Sequence, residues 1–304
     1  MSHSRQLIPL LGGPTAAGKS AVALALAERF DMDIISGDAM QVYRGMDIGT
    51  AKPTPAERAR VRHHLIDVVT PAEAFSVADF VRRSERVIGE VLARVGLPLV
   101  VGGTGFYLRA LSEGLPTVPA ADAGVQTELW ERFEREGLEP LVRELAAASP
   151  VDARRVQGNP RRVVRALEVL RRTGRPPSDF PPAQPAFRYD KVVLLPGMAV
   201  LKPRIEARAA RMFQLGLVAE VRALLERYPQ QLTAMQAIGY KEVAAYLAGR
   251  VSQEEALQAV TLATLRYARR QLTWFRREPN AQRFPALARE VQEELGSWLQ
   301  GLLR

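Results

Sequence analysis

The chain has 304 residues, no cysteine and three histidines, and its 42 lysines and arginines against 33 acids give a net charge of +9. This composition excludes disulfides and thiolate metal sites, argues against a histidine-rich metal centre, and fits a cytoplasmic chain. No apolar run is long enough to span a membrane, and the basic excess, mostly arginine, suits either a polyanionic partner or a solvated surface.

The opening run LIPLL predicts a first strand, Leu7–Leu11, rather than a signal peptide. Gly12–Gly18 follows as a loop, and Lys19–Phe30 as a helix with Val22, Leu24, Leu26 and Ala27 on its apolar side. Strands are expected at Asp33–Ser36, His64–Val69 and Pro98–Val101, with a long amphipathic helix over Ser76–Val95. Strands alternating with helices at this spacing indicate a parallel sheet covered on both faces.

From about Leu115 the pattern changes: residues 120–190 are helical and polar, then rich in proline. Lys191–Pro196 restores a buried strand. Helices are expected over Ile205–Leu225, Ala234–Leu247, Glu254–Arg276 and Pro285–Leu303. The reading is α/β, a P-loop NTPase-like parallel-sheet core flanked by helices and interrupted by an all-helical insertion. The core comprises 1–115 and 190–304, the insertion 116–189. The adjacent His63 and His64 would point to opposite faces of a strand, which favours packing or hydrogen bonding over a shared metal.

Gly13–Ser20 reads GPTAAGKS, which satisfies G-x-x-x-x-G-K-[ST] between a strand and a helix. In such a loop, backbone N–H groups and the helix N-terminus meet phosphate oxygens; Lys19 reaches the terminal phosphate and Ser20 can ligate Mg²⁺. A nucleotide hydrolase would also carry an acid after a later apolar strand. Here that strand runs into GGTGFY, with no acid. Asp38, just beyond the second strand, is the carboxylate placed to accept a proton from an attacking group, though a turn or capping residue reads as well from position alone.

Taken in order, GPTAAGKS, SGDAMQVYRGMDIGTAKP, HHLID, GGTGFY, RALEV, QAIGYKE and RYARRQLTWFR resemble the tRNA dimethylallyltransferases, or tRNA isopentenyltransferases, of bacteria, from about residue 8 to 277. The resemblance implies that the loop holds the diphosphate of dimethylallyl diphosphate, so no water-activating acid is needed. The dimethylallyl group then moves to the exocyclic N6 amine of the adenine 3′ to the anticodon, in tRNAs reading codons that start with U. Implied diphosphate contacts are Gly13, Pro14, Thr15, Ala16, Ala17, Gly18, Lys19 and Ser20, with Mg²⁺ at Ser20. An arginine of PRIEARAARM completes the clamp, Arg208 ahead of Arg204. Asp38 orients and deprotonates the amine, with Thr15 and Thr104 as neighbouring hydroxyls.

The implied tRNA contacts are Asp38, Ala39, Met40, Gln41, Thr104, Gln126, Arg161, Arg162, Val163, Val164, Arg165, Arg270 and Gln271. The target base should flip out of the anticodon loop into a channel. Arg154 to Arg175 holds eight arginines and one acid, Glu168, and suits a grip on the stem. A second cluster, Arg266, Arg269, Arg270, Arg276 and Arg277, is interleaved with Tyr267, Trp274 and Phe275, which read equally well as the core of a long helix. Ala39 stands where the family usually has serine and Arg161 where glutamine is common; Gln126 lies where an arginine is frequent. These departures bear on tRNA recognition, not on the reaction class. A small-molecule kinase shares the loop and the acid but does not predict the arginine-rich segments. An enzyme acting on free adenine nucleotides has less need of them, and a non-catalytic RNA binder need not retain Lys19, Ser20 and Asp38. No membrane or obligate protein partner is expected, and the architecture suggests a monomer.

Overall fold

The computed structural model describes residues 7–285 and 289–302. The chain forms two compact units, Met1–Ser112 with Ala186–Arg304, and Glu113–Pro185.

The first unit opens with β1 (Leu7–Gly12), α1 (Lys19–Phe30), β2 (Met32–Ser36), α2 (Pro55–Arg60), β3 (His63–His64), α3 (Val77–Ala93), β4 (Leu97–Gly102) and α4 (Gly105–Glu113). The second contains α5 (Ala123–Glu136), α6 (Leu138–Ala148), α7 (Pro150–Val156) and α8 (Pro160–Thr173). The chain then returns through β5 (Arg188–Leu194), α9 (Met198–Gln214), α10 (Leu217–Leu225), α11 (Tyr240–Leu247), α12 (Gln253–Arg276), β6 (Ala281–Phe284) and α13 (Arg289–Leu302).

The sheet runs β3-β2-β4-β1-β5-β6 with every pairing parallel. This is the parallel α/β core expected from the alternation of elements. Buried strands such as Leu97–Gly102 read as continuous apolar runs because helices cover both faces. With β1 between β4 and β5, the loops after β1, β2 and β4 leave the same edge of the sheet. That carboxyl edge is where ligands bind in open α/β folds. Two glycines let these loops converge. Gly13 takes φ +147°, and a Cβ there would lie 2.6 Å from the Leu194 carbonyl. A Cβ on Gly102 would strike the backbone of Gly37.

The structure departs from the expected elements in five places. β3 covers only His63–His64, because Leu65 and Asp67 adopt positive φ (60° and 57°) and leave the ladder. Ile205–Leu225 is two helices, since Gly216 at φ 104° ends the first, and α9 begins earlier, at Met198. Ala234–Leu247 begins as a 3₁₀ turn, and Gly239 at φ 98° resets the chain before α11. β6 was not anticipated: AQRF has little apolar character and is a strand because it pairs with β5. The closing helix is described over Arg289–Leu302, and Pro285 is not part of a helix; residues 286–288 and Leu303 of the expected span lie outside the described residues.

The helical unit has its own core of Leu129, Leu141, Leu145, Val156, Val163, Val164 and Leu167. Within it, the fully buried Glu168 gathers two arginines. This carboxylate meets Arg165 at 2.7 Å and Arg172 at 3.6 Å, and accepts from Gln126 at 2.8 Å and the Asp122 N–H at 2.6 Å. Burial alone would raise its pKa, but bonds from Arg165, Gln126 and Asp122 hold it below the ordinary value.

Candidate active site

A cavity of about 740 Å³ lies in the first unit. Its walls include Thr15, Lys19 and Ser20 after β1, Asp38 and Gln41 after β2, and Thr104 after β4. Helix α9 adds Arg204, Arg208 and Met212; α12 adds Val260, Thr264, Tyr267 and Gln271, which recur at helical spacing on one face.

At the phosphate-loop end, Lys19 Nζ donates to the Pro14 carbonyl at 2.7 Å. Burial pulls the Lys19 pKa down to about 8, with Asp38 opposing the shift and Arg208 adding to it. Arg208 Nη1 donates to Thr15 Oγ1 at 3.1 Å, and burial lowers its pKa as well. Two cations held close together against their desolvation cost make a site for an anion. Ser20 opens the first turn of α1, lines the same cavity and is exposed.

At the other end, Asp38 uses one oxygen to accept from Met40 N at 2.8 Å and, at longer range, Gln41 N at 3.4 Å. Its Oδ2 has no hydrogen-bond partner among the described residues. Thr104 Oγ1 accepts the Ala39 N–H at 3.1 Å, fixing the chain beside Asp38. The two ends are tied by Gln271, which is 5% exposed. Its Oε1 accepts the Thr15 N–H at 2.9 Å and its Nε2 donates to the Gly103 carbonyl at 2.7 Å. Tyr267 hydrogen-bonds Thr104 and Gln271; burial, then Asp38, raise its pKa to about 12, so it stays a neutral phenol.

Other expected contacts look different in the structure. Both ends of the Gln41 amide are engaged: Oε1 accepts from Ser36 Oγ at 2.9 Å, and Nε2 faces the Thr50 and Ala51 carbonyls at 3.3 Å. Gln271 is likewise committed to the two loops. Val163 and Val164 are 0% and 2% exposed, so their side chains cannot meet tRNA; they are core because α8 turns them inward. Arg165 and Gln126 are bound to Glu168, and Arg165 also donates to the Pro119 carbonyl. Arg161, Arg162 and Arg270 are exposed. Phe275 is core at 1% exposure, while Trp274 is half-buried with Arg109 stacked 4.3 Å from its ring centre. His64 bonds Asp33 at 2.6 Å and His63 the Val61 carbonyl at 2.8 Å. No cluster of three or more histidines or acids could hold a metal among the described residues.

One residue had no sequence signal. Glu220 of α10 accepts the backbone N–H groups of Asp47, Ile48 and Gly49 at 3.0, 2.7 and 3.1 Å, and the Tyr240 hydroxyl at 2.6 Å. It thereby fixes the DIGTA loop, whose Gly49, Thr50 and Ala51 line the cavity.

The fold and the loop define an α/β protein of the P-loop type, with an anion site and an open carboxylate in one cavity. The chain belongs to the IPP transferase family, whose model matches residues 41–278. It is 60% identical over 274 residues to the tRNA dimethylallyltransferase of Thermus thermophilus, covering 90% of this chain and 91% of that one. The tRNA dimethylallyltransferase of Deinococcus radiodurans is 47% identical over 280 residues, covering 91% and 92%. Among solved structures, the tRNA isopentenylpyrophosphate transferase of Bacillus halodurans superposes with a TM-score of 0.73 at 38% identity, covering 98% of this chain and 97% of the other.

Proposed function

We propose that the protein transfers the dimethylallyl group of dimethylallyl diphosphate to the N6 amine of the adenine immediately 3′ of the anticodon. The acceptors are tRNAs reading codons that start with U, and the products are isopentenyladenosine and diphosphate. The observation that carries this reading is the pairing, in one cavity, of a cationic phosphate loop with a carboxylate oxygen that no other described residue engages.

The adenine amine forms a bond to the terminal allylic carbon as the carbon–oxygen bond to diphosphate breaks. The electron pair leaves with diphosphate, where charge grows and where Lys19, Arg208 and the loop N–H groups are positioned to oppose it. Asp38 Oδ2 accepts the amine proton, which makes a delocalised lone pair a usable nucleophile. Thr104 and Tyr267 hold the acceptor side, and Gln271 keeps Thr15 and Gly103 in register. Ser20 offers one neutral oxygen beside the phosphate loop. That suits Mg²⁺, which keeps several waters and binds largely through substrate phosphates. The chemistry supplied by a bound Mg²⁺ is charge neutralisation on the leaving oxygens.

In this reading, Arg161 and Arg162 of the helical insertion, 116–189, contact the anticodon stem-loop. The enzyme works in the cytoplasm as a monomer without an obligate protein partner. No helix among the described residues is long and apolar enough to cross a membrane. The test is product stoichiometry: one diphosphate released per prenylated RNA, with ATP neither needed nor consumed. Consumption of ATP without prenylation would return the site to the small-molecule kinases.

A further inference from the structure

The carboxylate of Glu220 is committed to the wall of the cavity without lining it. Its Oε2 accepts the N–H groups of Asp47 and Ile48 at 3.0 and 2.7 Å, and its Oε1 accepts the Gly49 N–H at 3.1 Å and the Tyr240 hydroxyl at 2.6 Å. These donors fill the acceptor sites a carboxylate has. Burial, then the charge of Glu220, pushes the Tyr240 pKa up, which keeps its hydroxyl a donor.

Two segments of the cavity wall meet at this one carboxylate. Gly49, Thr50 and Ala51 form one; Ala237, Ile238 and Gly239, which lead into Tyr240, form the other. They touch directly: a Cβ on Gly49 would lie 2.4 Å from the Tyr240 ring, so any side chain there would push them apart. Lys52 secures the base of the first segment, its ammonium donating to the Tyr43 carbonyl at 2.6 Å and to Asp47 Oδ1 at 2.7 Å, but it does not bond residues 49–51. From this loop the bonds continue to the acceptor side. The Thr50 and Ala51 carbonyls face Gln41 Nε2 at 3.3 Å, and Ser36 Oγ donates to Gln41 Oε1 at 2.9 Å. The Gln41 N–H lies 3.4 Å from Asp38 Oδ1, the oxygen that the Met40 N–H also meets.

Resting on the function proposed above, we propose that Glu220 is a positioning residue for the acceptor half of the reaction. By holding residues 47–51 against Tyr240, it fixes the two carbonyls that orient the Gln41 amide, and with it the turn that aims Asp38 Oδ2 at the amine. It acts through Gln41 and Asp38, not by contact with either substrate. Such support matters because a misplacement of about 1 Å at a reacting group can cost on the order of 10² in rate. Lys19 and Arg208 bond Pro14 and Thr15 and not this loop, so the effect falls on one half of the site.

The test is steady-state kinetics of the full chain with dimethylallyl diphosphate and an anticodon stem-loop. Glu220→Gln keeps the shape but turns one acceptor oxygen into an NH₂ group that faces N–H donors. Its kcat should fall by about 10- to 100-fold, while KM for dimethylallyl diphosphate stays within a factor of about two. Tyr240→Phe removes one of the bonds and keeps the buried ring; it should show the same split at smaller amplitude, and it carries the test if the glutamine variant does not fold. Gln41→Ala cuts the link to Asp38, so adding Glu220→Gln to it should cost little more than Gln41→Ala alone. Losses that multiply in the double variant, or a Glu220→Gln that melts lower but turns over like the parent, would overturn the proposal while leaving the prenyl-transfer reading intact. A parent chain that prenylates no stem-loop would overturn that reading, and this proposal with it.

Discussion

Arg208 Nη1 reaches Thr15 Oγ1 at 3.1 Å, bringing a cation from α9 onto a loop that begins nearly two hundred residues earlier in the chain. The phosphate loop alone offers backbone N–H groups and Lys19; this contact adds a fork of donors across the anion site. Arg208→Ala should lower kcat/KM for dimethylallyl diphosphate by about 10² to 10³, the usual cost of removing a donor from a developing charge. RNA affinity should stay within a factor of about two, a marginal change on the scale where tenfold is 1.4 kcal/mol. Steady-state kinetics with each substrate varied would check it, and an equal loss on the RNA side would contradict the assignment.

Asp38 has one oxygen tied to the Met40 N–H and one open. Asp38→Asn preserves shape and the bond to Met40 but cannot take a proton. Turnover should fall by about 10² to 10⁴, the range for general base catalysis, with stem-loop binding little changed. Parallel loss of binding and turnover would move Asp38 from base to binding residue.

Lys19 predicts a pH dependence. Burial lowers its pKa to about 8, so in the free enzyme it is charged below that pH and neutral above it. The charged form is the one that meets diphosphate. The kcat/KM for dimethylallyl diphosphate should therefore fall as pH rises through about 8, and Lys19→Arg, which does not deprotonate, should lack that limb. A flat profile from pH 7 to 10 would show that Lys19 does not carry the interaction.

Glu168 is a fully buried acid of the helical unit. Its bonds to Arg165, Gln126 and Asp122 hold its pKa below the ordinary value despite burial. A carboxyl depressed in the folded state stabilises above its unfolded pKa, and that stability is lost as pH falls through the folded value. Unit 113–185 should thus weaken below about pH 4, the ordinary glutamate range. Glu168→Ala should cost ~3 kcal/mol, tempered by the partial exposure of its arginines, since it leaves their charges and the Asp122 N–H without a partner. Urea unfolding followed by circular dichroism measures both effects.

The sheet and the phosphate loop were legible in the sequence because they rest on local signals: apolar runs of strand length, a glycine-rich turn, a helix opening on Lys19. The same signals placed Asp38 and Thr104, each a short step beyond a strand. Contacts across long separations were not legible. Nothing in the pattern around Glu220 announces that it caps three N–H groups of a loop some 170 residues away, since many surface glutamates look alike. The arginine run of α8 read as one charged surface. Helical phase and the buried Glu168 divide it into members paired with that acid, such as Arg165 and Arg172, and exposed ones with no carboxylate partner among the described residues, such as Arg161 and Arg162. Gly216 and Gly239 fell inside segments whose apolar spacing was continuous, so periodicity outvoted the breaks that positive φ imposes.

The measurement that bears most directly on this account is the mass of a synthetic anticodon stem-loop after incubation with the protein, dimethylallyl diphosphate and Mg²⁺. The account predicts a gain of one dimethylallyl group, abolished when the adenine 3′ to the anticodon is replaced. An RNA of unchanged mass alongside prenylated free AMP would contradict it, and would make the chain an enzyme of free nucleotides.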